Sequence, residues 1–283
     1  TRRHAYILAM LGLGQIIVVL NKIDLVSYDD ERFKKVKEDV ALFLKSLDIT
    51  ACAYIPISAT KGDNVAKKSA NTAWYAGPTI LEGLNCFKNK VSSENMPLIF
   101  PIQDVYKIDS KRISVGRVEA GVIRTGQEIK ILPSEKITKV KSIEKFLEET
   151  DVAFPGESIG VTLEDPLFLD RGNVICQPGK EPTLTDTFKA SIFWMAKEDF
   201  NKDEKLILRC ATQETLCKVE KIEKRINSSD LKVIEEDADK LKELEAGEVT
   251  IKTKKPIAVT TFHETQELGR CVFVRGENIC AGR

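Results

Sequence analysis

Ile16-Ile17-Val18-Val19-Leu20-Asn21-Lys22-Ile23-Asp24 is the stretch that decides how this chain folds. Its apolar run predicts a buried strand of a parallel sheet. The Asn-Lys-x-Asp that follows would sit at the carboxyl end of that strand, where open α/β sheets bind ligands. The Asp24 carboxylate has two acceptor oxygens, which suit the two N–H donors on the Watson–Crick edge of guanine and find no match on adenine. Asn21 can bond the N7 side of a purine and tether neighbouring loops. The aliphatic stem of Lys22 can lie over the base.

A second strand supports the same reading. Ala53-Tyr54-Ile55-Pro56-Ile57 is apolar and ends in Ser58-Ala59-Thr60. A backbone N–H in a Ser58-Ala59 turn can donate to the guanine O6, which the adenine amino group cannot accept. Alanine suits a position where backbone must approach a base closely, and Thr60 would flank it. Asn21, Lys22, Asp24, Ser58, Ala59 and Thr60 are therefore the candidate guanine-binding residues. The sequence has no Gly-x-x-x-x-Gly-Lys-Ser/Thr, and none of its glycines has Asp three residues before it. The phosphate-cradling loop, its lysine, the Mg²⁺-binding hydroxyl and the γ-phosphate-sensing switch are all missing. Residues 1–92 are thus expected to be the carboxyl-terminal part of a nucleotide domain with half a site. No catalytic or metal-ligating residue is expected in this chain, and it is expected to be inactive on its own.

Length and composition agree with several soluble domains. The chain has 283 residues, 42% hydrophobic and 30% charged, enough for two or three cores. Lys and Arg number 43, and so do Asp and Glu, giving a formal net charge of zero. That balance supplies no field for nucleic acid or membrane, so neither is expected as a partner. No apolar run approaches a membrane span. Seven cysteines without a Cys-x-x-Cys pair read as reduced thiols of a cytoplasmic protein, and two histidines make a histidine metal centre implausible.

Along the chain, residues 1–92 alternate helix and strand. Arg2–Leu11 reads as a helix closed by Gly12 and Gly14. A helix after Ser27 carries an apolar stripe at Phe33, Val36, Val40, Phe43, Leu44 and Leu47. Gly77-Pro78-Thr79 opens another, with Thr79 and Glu82 spaced as a capping box and Ile80, Leu81, Leu84 and Phe87 expected to dock it. From Ser92-Ser93-Glu94-Asn95 the texture becomes short strands punctuated by glycines, which predicts one β-barrel over 93–182 and a second over 183–283. Asp230–Leu244 is charged and reads as a short helix or an extended loop. Trp74, Trp194 and His4 read as packing or structural residues. The Lys136, Lys139, Lys141, Lys145 run, interleaved with Glu135, Glu144 and Glu148, reads as a solvated face.

Half of an α/β domain followed by two barrels resembles the translational-type GTPases. The fold class expected is therefore α/β plus all-β, the carboxyl-terminal half of a P-loop GTPase domain followed by two β-barrels. Gly116-Arg117-Val118-Glu119-Ala120-Gly121 through Thr125-Gly126-Gln127-Glu128-Ile129 is similar to the core of their second domain. Phe154-Pro155-Gly156-Glu157-Ser158 and Asp170-Arg171-Gly172-Asn173-Val174 resemble its closing strands, and Leu268-Gly269-Arg270-Cys271-Val272 resembles a strand of the last barrel. Within that superfamily, three stretches resemble the large, GTP-hydrolysing subunit of bacterial sulfate adenylyltransferase (ATP sulfurylase). They are Thr1–Ile7, Lys61–Val65 through Trp74–Thr79, and Phe193-Trp194-Met195.

That resemblance implies GTP with Mg²⁺ as cofactor and coupling of GTP hydrolysis to formation of adenylyl sulfate from ATP and sulfate. It also implies a smaller adenylyl-transferring subunit as partner. The alternatives are an elongation-factor-type GTPase delivering aminoacyl-tRNA, and an interaction module whose nucleotide site has decayed. The retained Asn21 and Asp24 speak against the second of these.

Overall fold

The computed structural model describes residues 2–88, 93–108, 111–145, 148–202 and 204–283. These divide into two compact units. One is the amino-terminal α/β part together with Ser228–Asp230; the other holds the all-β remainder. Ser92, at the expected change of texture, lies outside the described residues.

In the α/β unit, helix α1 (Arg2–Met10) leads to strand β1 (Ile16–Asn21), helix α2 (Asp30–Lys45), strand β2 (Ala51–Ile57) and the short helix α3 (Ile80–Leu84). β1 and β2 pair in parallel, with Asn21 opposite Ile57. α2 starts at Asp29, whose carboxylate accepts from the N–H groups of Glu31 and Arg32, the usual way to satisfy orphan donors at a helix start. Its stripe packs inward as the periodicity predicts: Phe33 and Leu44 are buried, and Val40, Phe43 and Leu47 join a cluster with Ala5, Ile49 and Ala9. The capping box at α3 forms. Thr79 Oγ1 accepts from Glu82 N, and Glu82 returns an oxygen to Thr79 N.

The docking face of α3 is not the one expected. Leu81, Leu84 and Phe87 are exposed, and the buried residue of the helix is Gly83. A Cβ at Gly83 would lie 3.1 Å from Ile17 Cδ1 and 3.4 Å from Ile55 Cδ1. The missing side chain lets the helix backbone lie directly on the sheet, and this turns the leucines outward. A helix of five residues is also too short for a repeating stripe to set its orientation.

The all-β unit contains two closed six-stranded barrels. In the first, Ile99–Ile108, Lys111–Arg117, Ser158–Leu163, Lys136–Lys145, Glu128–Leu132 and Val174–Cys176 pair around a ring that returns to Ile99–Ile108. In the second the ring runs Thr183–Trp194, Glu245–Val259, Gln213–Asn227, Lys205–Cys210, Val272–Arg275, Asn278–Gly282 and back. Every pair is antiparallel, so closure leaves no edge around either ring. Inward residues alternate along the strands: Phe100, Ile102, Ile129, Ile131, Val140 and Val161 fill the first barrel. Trp194, Phe200, Leu208, Ile222, Val249, Ile251 and Phe273 fill the second. Trp194 is fully buried, stacked at 5.0 Å on Phe200, and donates from Nε1 to the Glu198 carbonyl.

The charged segment after Asp230 is neither helix nor loop. Val233–Ala238 is a strand laid antiparallel on Gln213–Asn227 outside the ring. Opposite charges face each other across the pair, Lys224 against Glu236 and Arg225 against Glu235. The Arg225 guanidinium, largely buried, chelates Glu245 through Nε (2.6 Å) and Nη2 (2.8 Å) and reaches Glu235 from Nη1 at 3.2 Å. Lys221 meets Asp237 at 2.6 Å. Cross-strand charge pairing holds a segment whose composition would otherwise favour solvent.

Five of the seven cysteines are buried, and Cys52 and Cys86 are exposed. Burial pushes the thiols of Cys176, Cys210, Cys217 and Cys271 up to about 12, so they remain protonated and act as small apolar residues. Among the described residues no helix is long and apolar enough to cross a membrane.

Glycine is required most strictly at Gly121, where φ is +68° and a Cβ would fall 2.6 Å from the Leu98 backbone N and Cα. Neither the conformation nor the neighbour can give way. Gly121→Ala should therefore destabilise the first barrel by about 3 kcal/mol or more, read as a fall in the urea midpoint. A midpoint within the error of the wild type would contradict the packing described.

Candidate guanine-recognition site

The parallel register brings two loops together at the carboxyl ends of β1 and β2. Asn21 closes β1, and Lys22 turns the chain sharply with φ +70°. A 3₁₀ turn over Ile23–Val26 follows, anchored by the buried Ile23, and places Asp24 in its first turn. Ser27 and Tyr28 then adopt left-handed φ values of 53° and 59° before Asp29 caps α2. On the other side, Ser58 is buried at the end of β2, while Ala59 and Thr60 are exposed.

All six sequence-predicted residues occupy these two facing loops. Asn21 Oδ1 accepts from Lys22 N at 2.7 Å and from Ala59 N at 3.1 Å, so one side chain ties both loops. Ser58 Oγ lies 3.2 Å from Thr60 Oγ1, and the Ser58 carbonyl accepts from Gly62 N. The Asp24 carboxylate has no hydrogen bond or ion pair to the described residues and is half-exposed, so both oxygens are available to a ligand. Among the N–H groups of this turn, that of Ala59 is already bonded to Asn21. The N–H groups of Thr60 and Lys61 have no acceptor among the described residues and are the open donors of the turn.

The sequence reading missed what holds the second loop. Asn64 is 1% exposed with φ +56°. Its Nδ2 donates to the Pro56 carbonyl (2.8 Å) and Thr72 Oγ1 (2.9 Å), and its Oδ1 accepts from Ser69 N (2.9 Å). A buried amide satisfied on every side fixes the loop from beneath. The Gly62-Asp63-Asn64 triplet was the available signal, since asparagine tolerates the left-handed region better than most residues. Trp74 packs on Phe33 at 5.3 Å and donates from Nε1 to the Tyr28 carbonyl, a packing role that also steadies the first loop.

The two loops present an unpartnered carboxylate at Asp24 and open N–H donors at Thr60 and Lys61, groups of the kind that pair with the edge of a purine base. The sequence lacks the phosphate-loop spacing, and among the described residues no group of three His, Cys, Asp or Glu could hold a metal ion.

Comparison with known proteins places the fold. The family described as elongation factor Tu domain 2 matches residues 111–176, and the family described as GTP-eEF1A C-terminal domain-like matches residues 187–282. The chain is 36% identical to elongation factor 1-alpha of Methanopyrus kandleri, over 100% of this chain and 71% of that protein. It is 34% identical to sulfate adenylyltransferase subunit 1 of Psychromonas ingrahamii, over 97% of this chain and 58% of that protein. The solved structure of Sup35 complexed with GMPPNP superposes with a TM-score of 0.64 at 22% identity, covering 100% of this chain and 71% of that one, a likeness of fold. Whole-chain identity at this level, joined to two closed barrels behind an α/β unit, means that the chain belongs to the translational GTPase superfamily.

Proposed function

We propose that this chain provides guanine recognition and the two barrel surfaces of a GTPase of the elongation factor 1-alpha type, which hydrolyses GTP while delivering aminoacyl-tRNA in the cytoplasm. The observation that carries this reading is the 36% identity to elongation factor 1-alpha along the whole chain. The match to the eEF1A-type carboxyl-terminal domain over the second barrel supports it. In this reading the α/β part (1–92) reads the base, and the barrels (93–182 and 183–283) carry the cargo. Asp24 accepts from the guanine N1–H and amino group, Asn21 braces the two loops, and Lys22 covers the base. Ser58, Ala59 and Thr60 present the turn whose N–H groups favour O6. The triphosphate and its Mg²⁺ have no ligands assigned in this chain.

The zero net charge, which led to the expectation of no nucleic-acid partner, is a total and does not describe local faces. On the first barrel the Arg112 guanidinium lies 4.3 Å over the ring of Phe168, which is 79% exposed. Exposed cation–aromatic pairs of this kind are suited to stacking unpaired nucleotide bases.

The reading as the GTPase subunit of sulfate adenylyltransferase stands second, supported by the Psychromonas relative. Its partner would be the smaller adenylyl-transferring subunit rather than tRNA.

Base recognition is tested on this chain with nucleosides, which need no phosphate loop. Asp24→Asn should exchange guanosine for xanthosine preference, because the amide donates to the xanthine C2 carbonyl and no longer accepts both guanine donors. By NMR titration the preference should swing by about tenfold or more. A variant that still prefers guanosine would remove Asp24 as the base reader.

The two cargo readings separate in a gel shift. Aminoacyl-tRNA should bind the chain at low ionic strength, and affinity should fall by more than about tenfold between 50 and 200 mM salt. Absence of tRNA binding, together with a stable complex with an adenylyl-transferring subunit, would move the assignment to sulfate activation.

A further inference from the structure

We infer that Tyr28 and Asp63 form a clasp that sets the spacing of the two base-reading loops, which makes Tyr28 a positioning residue for guanine recognition; this rests on the base-reading proposal above. Tyr28 Oη donates to Asp63 Oδ2 at 2.9 Å, joining the loop that carries Asp24 to the loop that carries Ser58, Ala59 and Thr60. The only other direct hydrogen bond between these loops among the described residues is Ala59 N to Asn21 Oδ1, at an exposed position where water competes.

Each half of the clasp is held by further contacts. The Tyr28 carbonyl accepts from Trp74 Nε1 at 2.9 Å, and Lys61 Nζ sits 5.9 Å over the Tyr28 ring. Tyr28 and Ser27 both hold left-handed φ values, a conformation uncommon outside glycine, which aims the ring across to the second loop. Asp63 is held by its backbone, which forms bridges to Ser58 and to Lys67. Its second oxygen accepts from Ser69 Oγ at 2.6 Å, and Ser69 N donates to the buried Asn64. A continuous path therefore runs from the tyrosine hydroxyl to the interior of the α/β unit. Displacing Tyr28 displaces the backbone of Asp63, and with it the end of β2 at Ser58.

The phenol oxygen, not the ring, carries this role. Were Tyr28 present for packing alone, phenylalanine would serve equally. The charge-assisted bond to Asp63 is of the stronger class and needs the hydroxyl.

The test compares wild type, Tyr28→Phe and Ser69→Ala in the 283-residue chain by two measurements. Tyr28→Phe should raise amide hydrogen exchange at Ala59 and Gly62, whose N–H groups are bonded to Asn21 Oδ1 and to the Ser58 carbonyl, by about tenfold while the amides of β2 stay protected. It should also weaken guanosine binding, followed by NMR, by about tenfold with the thermal midpoint nearly unchanged. Ser69→Ala, which removes the support behind Asp63 together with the cap on Asn71 N and leaves the tyrosine hydroxyl in place, should move both readouts in the same direction and less far. Unchanged exchange in Tyr28→Phe would overturn the clasp, as would faster exchange with wild-type guanosine affinity. Asp24→Asn serves as the control. If it leaves guanosine binding intact, or if the wild type does not bind guanosine, the base-reading proposal itself has failed, whereas loss in Asp24→Asn beside wild-type behaviour in Tyr28→Phe rejects the clasp alone.

Discussion

The α/β unit depends on the parallel pairing of β1 with β2 in the register that sets Asn21 against Ile57. Side chains alternate along a strand, so a shift of one residue would turn Asn21 away and bring a different residue of β2 beside it. In the observed register the two strands end level, and the loops that leave them emerge side by side. One asparagine oxygen can then accept from Lys22 N and from Ala59 N together. Nothing else about the site can be arranged until that is true. In the proposed reading, Asp24 can serve as a base reader only because the second loop lies close enough to address another edge of the same purine.

Loops of this kind are not held by buried apolar area. Ile23 is the one buried residue of the 3₁₀ turn, and Ala59, Thr60 and Lys61 are all exposed. Polar contacts take over the task. Asn64 ties β2, Ser69 and Thr72, Trp74 holds the Tyr28 carbonyl, and Glu82 and Thr79 cap the helix that follows. A polar scaffold defines distances more sharply than apolar packing, because each partner has a direction as well as a distance. It also leaves the ligand-facing groups free: the Asp24 carboxylate has no partner among the described residues.

The sequence showed local chemistry well and tertiary compensation poorly. The Asn21–Asp24 and Ser58–Thr60 motifs, the α2 stripe and the Thr79–Glu82 box are each contained within a few residues, and the structure brings them together in two loops and two helices. The first barrel's strands were legible from their glycine punctuation. Three things were not. The docking of α3 depends on a contact that exists because a side chain is absent at Gly83, and hydrophobic periodicity cannot register an absence. The strand Val233–Ala238 has almost no apolar pattern, and its partners, Arg225 and Lys221, lie more than one turn of sequence away. The long strand Gln213–Asn227 suffers from register breaks between Val219 and Lys221 and between Ile222 and Lys224, which interrupt the alternation that would have revealed its length.

The likeness to the superfamily is carried in large part by barrel interiors. The matched regions, 111–176 and 187–282, take in most of the first barrel and nearly all of the second. Gly121 sits there because a Cβ would strike the Leu98 backbone, and Trp194 because it fills the second barrel beside Phe200. These residues answer to packing, and packing is the same whether the outer faces meet a tRNA or a protein subunit. Packing leaves exposed groups unconstrained, such as Phe168 beneath Arg112. A barrel can therefore keep its interior while its surface changes partners.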